Sequence, residues 1–159
     1  MARPLRITLS SVLLALCMAG GPVLAPAAPP SGSGPIDIWN DSGGNVLQML
    51  QRRDDLARSG RQLRIRGYCR SACTMLITLP NACLGPKARI GFHAPRIPGT
   101  TIIPPMVDRI MADTYRGGVR QRWLAGWNRS IEMQVISAED YVRLDPQTRI
   151  CEGLAPRRR

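Results

Sequence analysis

The spacing of apolar positions changes several times along the chain, and each change marks an element. Leu9 to Met18 (LSSVLLALCM) is nearly continuous apolar sequence behind Arg3 and Arg6, yet too short to span a bilayer as a stable helix. Pro22 follows, and Ala25-Pro26-Ala27 before Ala28 gives a small-x-small pattern, so residues 1–27 read as a cleaved export signal. Cys17 is preceded by Leu16, where a lipoprotein signal wants a small residue, so ordinary cleavage is expected over lipidation. An N-terminus retained as a membrane anchor is the competing reading. Residues 28–35, containing PPSGSGP, carry no core-forming side chains and read as a flexible linker.

Beyond the linker, short alternating segments take turns with helical ones. Ile36 to Trp39 (IDIW) alternates as a strand, and Asn40 to Gly44 (NDSGG) is turn chemistry in which Ser42 can cap the next helix. Val46, Leu47, Leu50, Leu56 and Ala57 recur at helical spacing, and Gly60 ends that helix. Leu63 to Gly67 (LRIRG) is a half-buried strand, while Ala72 to Leu79 (ACTMLITL) has the length of a short buried helix. Ala88 to Phe92 (ARIGF) is a further strand. Pro104-Pro105 opens a helix whose apolar face is Val107, Ile110, Met111, Tyr115, Val119, Trp123, Leu124 and Trp127, with a break or kink expected at Gly117-Gly118. Ser137-Ala138-Glu139-Asp140 caps a short helix, and Arg149 to Cys151 is expected as a last strand. The alternation predicts an α/β domain over residues 36–155, with a mainly parallel sheet, crossover helices and a basic tail at 156–159.

Composition narrows the chemistry. The chain has 159 residues, 22 Lys plus Arg against 11 Asp plus Glu, five Cys and one His. A single His removes multi-His metal sites, no pair of C-x-x-C motifs occurs, and neither a metal nor a cofactor is expected. Aromatic content of 4% leaves few stacking platforms, and the basic residues are scattered, so no nucleic-acid groove is predicted. Removal of residues 1–27 takes away Arg3, Arg6 and Cys17, leaving a strongly basic chain with four cysteines: Cys69, Cys73, Cys83 and Cys151. An even number of Cys in an exported chain implies disulfides, with three connectivities open. The C-x-x-x-C spacing of Cys69 and Cys73 favours a structural role over disulfide exchange. The positive balance allows weak association with an anionic envelope.

Three short segments close successive strands, where α/β proteins usually place their sites: Asp41-Ser42-Gly43-Gly44, Gly67 to Cys73 (GYCRSAC), and Gly91 to Pro95 (GFHAP). Each supplies something acyl transfer requires. Ser71 at a strand-to-helix junction is a candidate nucleophile, and His93 at the next strand end a candidate general base. Gly43 and Gly44 let backbone N–H groups approach a developing oxyanion, with the N–H of Ala72 as another donor. Trp123 and Trp127, four residues apart, read as core or interface residues rather than a substrate platform.

In this order and spacing, NDSGGNV, GYCRSACTM and IGFHAP resemble the Clp protease proteolytic-subunit and crotonase-like superfamily, most closely its small exported members with a C-x-S-A-C element. The resemblance runs from Ile36 to Pro95, with an echo at Ile136 to Leu144. It implies a small, disulfide-stapled crotonase-like domain in which Ser71 is the nucleophile, His93 the base, and Gly43, Gly44 and Ala72 the oxyanion site. The family's triad Asp falls near Met133 here, so Glu132 and Asp140 are the candidates for a third member. The helix used for ring assembly appears in altered form at 104–128, so rings are not implied, although a homo-oligomer is possible.

The function expected from sequence is therefore an exported, periplasmic or secreted, peptidase-like serine hydrolase. It would use a Ser-His dyad or incomplete triad on a peptide or protein substrate. The alternative is a catalytically inactive Clp-like interaction module of the cell envelope. The mature protein, denatured without reductant, is expected to show no free thiol in a thiol titration; one or more reactive thiols per chain would contradict the disulfide framework.

Overall fold

A computed structural model describes residues 34–154. The expected export signal at 1–27, most of the expected linker and the basic tail 156–159 lie outside the described residues. Cys17 lies outside them too.

Two small sheets are built by a chain that alternates between them. The first contains β1 (Ile36–Trp39), β2 (Leu63–Arg66) and β4 (Ala82–Leu84), in the order β1-β2-β4 and parallel throughout. The second contains β3 (Tyr68–Arg70), β5 (Arg89–Phe92) and β6 (Gln134–Ser137), with β3 and β5 parallel and β6 antiparallel to β5. β2 runs into β3 through a single residue, Gly67, held at φ +66°, where an added Cβ would lie 2.4 Å from Asn40 Oδ1. A side chain there would collide with the Asn40 amide that accepts the Tyr68 N–H at 2.9 Å. One glycine thus redirects the chain from one sheet to the other.

Helices cover these sheets as the alternating pattern predicts. α1 (Val46–Arg58) buries Val46 and Met49, and its N-cap is Asn45, whose Oδ1 accepts the N–H groups of Leu47 and Gln48. Ser42 is therefore not the cap; Asn45 lies immediately before the first helical residue, where its short amide reaches the free N–H groups. Leu47 from the expected apolar face is exposed instead. The apolar run after Ser71 forms a 3₁₀ helix, Ser71–Leu76, and its residues from Ala72 onward are all buried. α2 (Pro105–Thr114) starts at the predicted diproline. The break falls at Tyr115–Arg116, both extended, just ahead of Gly117-Gly118. The diglycine instead permits close packing: a Cβ on Gly117 would lie 2.6 Å from the Leu144 carbonyl. α3 (Gly117–Arg122) continues into a π-helical turn at Trp123–Trp127, and α4 (Ala138–Leu144) opens on the predicted Ser137–Asp140 capping box.

Strands β3, β4 and β6 lie outside the expected set: β3 and β4 have only three residues each, and QVIS in β6 sets its two apolar residues side by side instead of alternating them. The expected strand at Arg149–Cys151 is a single parallel bridge, Ile150 to Leu84. Two hydrogen bonds hold it, Leu84 N–H to Arg149 O at 2.9 Å and Cys151 N–H to Leu84 O at 2.8 Å.

Between the layers lie Leu63, Ile65, Met75, Leu76, Leu84 and Ile90, all fully buried. Phe92 anchors an aromatic cluster beside them. Its ring meets Tyr115 edge-on at 5.5 Å and stacks on Trp127 at 4.7 Å, and Tyr115 in turn meets Trp123 at 5.1 Å. Trp123 is core, as expected; Leu124 from the same predicted face is exposed. Asp108 secures the bend after α2 by accepting Trp123 Nε1–H at 2.8 Å and Asn128 Nδ2–H at 2.9 Å.

Both cystines form, Cys69–Cys73 and Cys83–Cys151, with Cα atoms 5.5 and 5.0 Å apart. The second spans 68 positions and ties β4 to the bridge strand. Chain-entropy reasoning gives a crosslink of that span about 4 kcal/mol and the four-residue one about 2 kcal/mol. Replacing Cys83 and Cys151 together by Ala should therefore lower unfolding stability by about 4 kcal/mol in urea denaturation, whereas a loss below about 1 kcal/mol would show the bridge to be incidental.

Candidate active site

Backbone contact, not side chains, brings the first two sequence motifs together. Asp41 organises the turn after β1: its Oδ1 accepts the Gly43 N–H at 2.7 Å, its Oδ2 the Arg52 guanidinium at 2.5 Å, and its carbonyl the Arg70 N–H at 3.0 Å. Gly43, at φ +83°, then lies against the start of the 3₁₀ helix. A Cβ there would stand 2.5 Å from Ala72 N and 2.8 Å from Arg70 O. Gly44 follows at φ +113° in open space. The N–H of Gly43 is thus committed to Asp41. Among the described residues, those of Gly44 and Ala72 have no hydrogen-bond partner.

Ser71 sits where β3 gives way to the 3₁₀ helix, with φ +56°. For a residue with a side chain this left-handed conformation costs about 1–2 kcal/mol and persists only where the surroundings impose it. Residues in such strained turns cluster at functional sites, and a sharp strand-to-helix turn presents its side chain outward.

His93 directly follows β5, the parallel neighbour of β3, so the two motifs leave adjacent strands in the same direction. Ser71, His93 and Gly44 line one cleft of about 500 Å³. No hydrogen bond joins Ser71 to His93. Partial burial is the largest influence on the imidazole and holds its pKa below the ordinary 6.5; the Ala94 backbone opposes this, and the positive Arg96 and Arg70 reinforce it. His93 is therefore neutral at pH 7, the form a general base requires.

The two candidates for a third member stand elsewhere. Asp140 is taken up by Ser137, whose Oγ lies 2.6 Å from Asp140 Oδ2, and by Arg143, and these partners hold its carboxyl below the usual range. The register of β6 on β5 puts Ser137 opposite Arg89, at the far end of the strand from His93. Glu132 is nearer, on the exposed loop beside Ala94, whose N–H donates to Ser130 O at 2.8 Å. Its carboxylate makes no hydrogen bond with His93. Among the described residues no carboxylate acts on the imidazole.

The rest of the cleft is mainly apolar, with Val46, Leu47, Ile97, Val107 and Met111 among its walls and Arg96 as its charged side chain. The segment between β5 and α2 closes one side; its bend is fixed by Ile97 N–H to Ile102 O at 3.0 Å. Sequence reasoning missed Asp41, Arg96 and the contact between the Thr74 and Tyr115 hydroxyls behind Ser71. Only Asp41, inside the first motif, had a local signal. A second cavity of about 350 Å³, lined by Trp39, Arg66, Lys87 and Leu154, holds none of the expected site residues.

No protein-family model matches the chain, and no curated protein matches it.

The two glycines should respond differently to substitution. Gly44→Ala places a side chain in open space and should cost about 1–2 kcal/mol, from the unfavourable φ alone. Gly43→Ala must also push the backbone of residues 70–73 aside, and should cost about 3 kcal/mol or more. Equal stability losses in thermal or urea unfolding would refute the close backbone approach.

Proposed function

We propose that the chain is an exported serine hydrolase, peptidase-like, with Ser71 as nucleophile and His93 as general base, on a small Clp-protease/crotonase-like domain. The observation that carries this reading is that a serine in a strained strand-to-helix turn shares one cleft with the chain's single histidine and with Gly44. The ordered motifs and the parallel strands beneath them support the family resemblance. The two cystines support an oxidising compartment, periplasmic or extracellular.

The chemistry follows from these positions. As substrate enters the cleft, the neutral His93 takes the Ser71 proton while Ser71 Oγ adds to the carbonyl carbon. Oxyanion stabilisation falls to the free N–H groups of Gly44 and Ala72; Gly43 contributes shape, since its own N–H serves Asp41. Collapse expels the alcohol or amine, which receives the proton from His93 and leaves an acyl-Ser71 ester. Water, activated by His93, then releases the acid and regenerates the serine. With no carboxylate among the described residues to orient the imidazole, this is a Ser-His dyad and turnover is slow. The apolar walls suit a bulky apolar group on the acyl side of the scissile bond.

A catalytically inactive interaction module is the second reading, favoured by the absence of a hydrogen bond between Ser71 and His93 and, among the described residues, of an acid behind the imidazole.

A fluorophosphonate probe separates the two. The hydrolase reading expects labelling of wild type that Ser71→Ala abolishes and His93→Ala reduces about 100-fold or more. Labelling no better than that of Ser71→Ala would leave the interaction module. The rate should also fall as pH drops through the lowered pKa of His93, because protonation removes the base, with the midpoint of this acid limb below pH 6.5. A midpoint above 7 would contradict the environment described for His93.

A further inference from the structure

Ser71 requires an explanation that its own sequence does not provide: a residue with a Cβ avoids φ +56°, and a lone serine would relax toward the right-handed or extended regions. One hydrogen bond reaches its backbone, and two further constraints hold the residues on either side of it. Cys69 in β3 and Cys73 in the 3₁₀ helix are joined to each other, so the residues two before and two after Ser71 are held with Cα atoms 5.5 Å apart. Both cysteines are buried, at 1% and 0% exposure. Thr74 Oγ–H donates to the Ser71 carbonyl at 2.6 Å, and its oxygen lies 2.7 Å from the buried hydroxyl of Tyr115, at the end of α2. A threonine hydroxyl has one proton, already used, so Tyr115 must be the donor in that second contact. The hydrogen bonds therefore run in one direction, from Tyr115 O–H to Thr74 Oγ and from Thr74 O–H to the Ser71 carbonyl. Burial keeps the Tyr115 phenol protonated far above neutral pH, so this donor persists. On the remaining side, Gly43 presses against Ala72 N.

We infer that the Cys69–Cys73 cystine and the Tyr115–Thr74 hydroxyl pair form one positioning device, which holds Ser71 in its left-handed turn so that its hydroxyl faces the cleft. The inference rests on Ser71 being the nucleophile for its catalytic meaning, but the conformational claim stands independently. Thr74 and Tyr115 are positioning residues, not catalytic ones: Thr74 reaches the Ser71 backbone rather than the hydroxyl, and Tyr115 acts through Thr74. The two cystines then have separate tasks, Cys83–Cys151 closing a long span of chain and Cys69–Cys73 fixing one backbone turn.

The test uses Cys69→Ala/Cys73→Ala, Cys83→Ala/Cys151→Ala, Thr74→Val, Thr74→Ser and Tyr115→Phe in the mature chain. Two readouts are taken: fluorophosphonate labelling rate per folded molecule, and the Ser71 backbone conformation from its NMR carbon shifts and φ-dependent coupling. Cys69→Ala/Cys73→Ala and Thr74→Val should each lose the left-handed signature and label about tenfold or more slowly. Thr74→Ser, which keeps the hydroxyl, should restore both. Tyr115→Phe should lie between wild type and Thr74→Val, and Cys83→Ala/Cys151→Ala should lose stability but keep the labelling rate. If the cystine variant does not fold, Thr74→Val against Thr74→Ser decides. A Ser71 that keeps its left-handed signature and its labelling rate in the folded cystine variant, or in Thr74→Val, overturns the inference. Wild type that fails to label overturns the hydrolase reading alone, because the NMR readout still decides the positioning.

Discussion

The contact on which the cleft depends is that of one backbone with another, Gly43 against the turn at Arg70 to Cys73. No side chain fits between them: the nearest atom to a Cβ on Gly43 would be a backbone nitrogen 2.5 Å away, which no rotamer change can relieve. The Asp41 carboxylate holds the glycine turn together while the Asp41 carbonyl fastens it to the Arg70 N–H. From this contact follows the placing of Gly44 on the same cleft as Ser71. Parallel pairing of β3 with β5 then delivers His93 to the same end.

A domain this small with two three-stranded sheets has limited apolar area, and polar ties carry part of the load. Arg116 Nη2 bridges to the buried Asp145 at 2.8 Å, and Asp145 also accepts the Thr148 hydroxyl at 2.8 Å. The nearby Arg53 reaches from α1 to the Met75 carbonyl and to Thr78 Oγ1. Breaking one partner of such a buried set is costly, because the other is left charged or unsatisfied away from water. Together with the cystines, these ties bind the ends of short elements whose own hydrogen bonds are few. Of these ties, Arg53 and the Cys69–Cys73 cystine reach the 3₁₀ helix that begins at Ser71.

Electrostatics at the cleft are one-sided. The charges that act on His93 are those of Arg96 and Arg70, and both disfavour the imidazolium. In a full triad an acid does the opposite, stabilising the charged imidazole as it forms. This arrangement keeps the His93 imidazole neutral and gives its charged form little support.

Much of the architecture was legible in the sequence because it depends on local period and local chemistry. Alternation at IDIW, LRIRG and ARIGF, the Pro104-Pro105 helix start and the Ser137–Asp140 capping box all appear where the spacing puts them. The strands ACL and QVIS were not legible, since neither alternates apolar with polar residues and each is a strand only because a neighbour pairs with it. The expected helix cap at Ser42 lost to Asn45 for a similarly local reason, the position of the side chain relative to the first free N–H groups. For the site, the sequence by itself determined the candidate groups: one histidine, a serine between two cysteines, and a diglycine. Only the tertiary structure decided the cystine pairing, the left-handed turn at Ser71, the loss of the Gly43 N–H to Asp41, and the distance of Asp140 from the imidazole. These are decided by which strands lie side by side and in what register, and residues far apart in the chain carry no local signal of that.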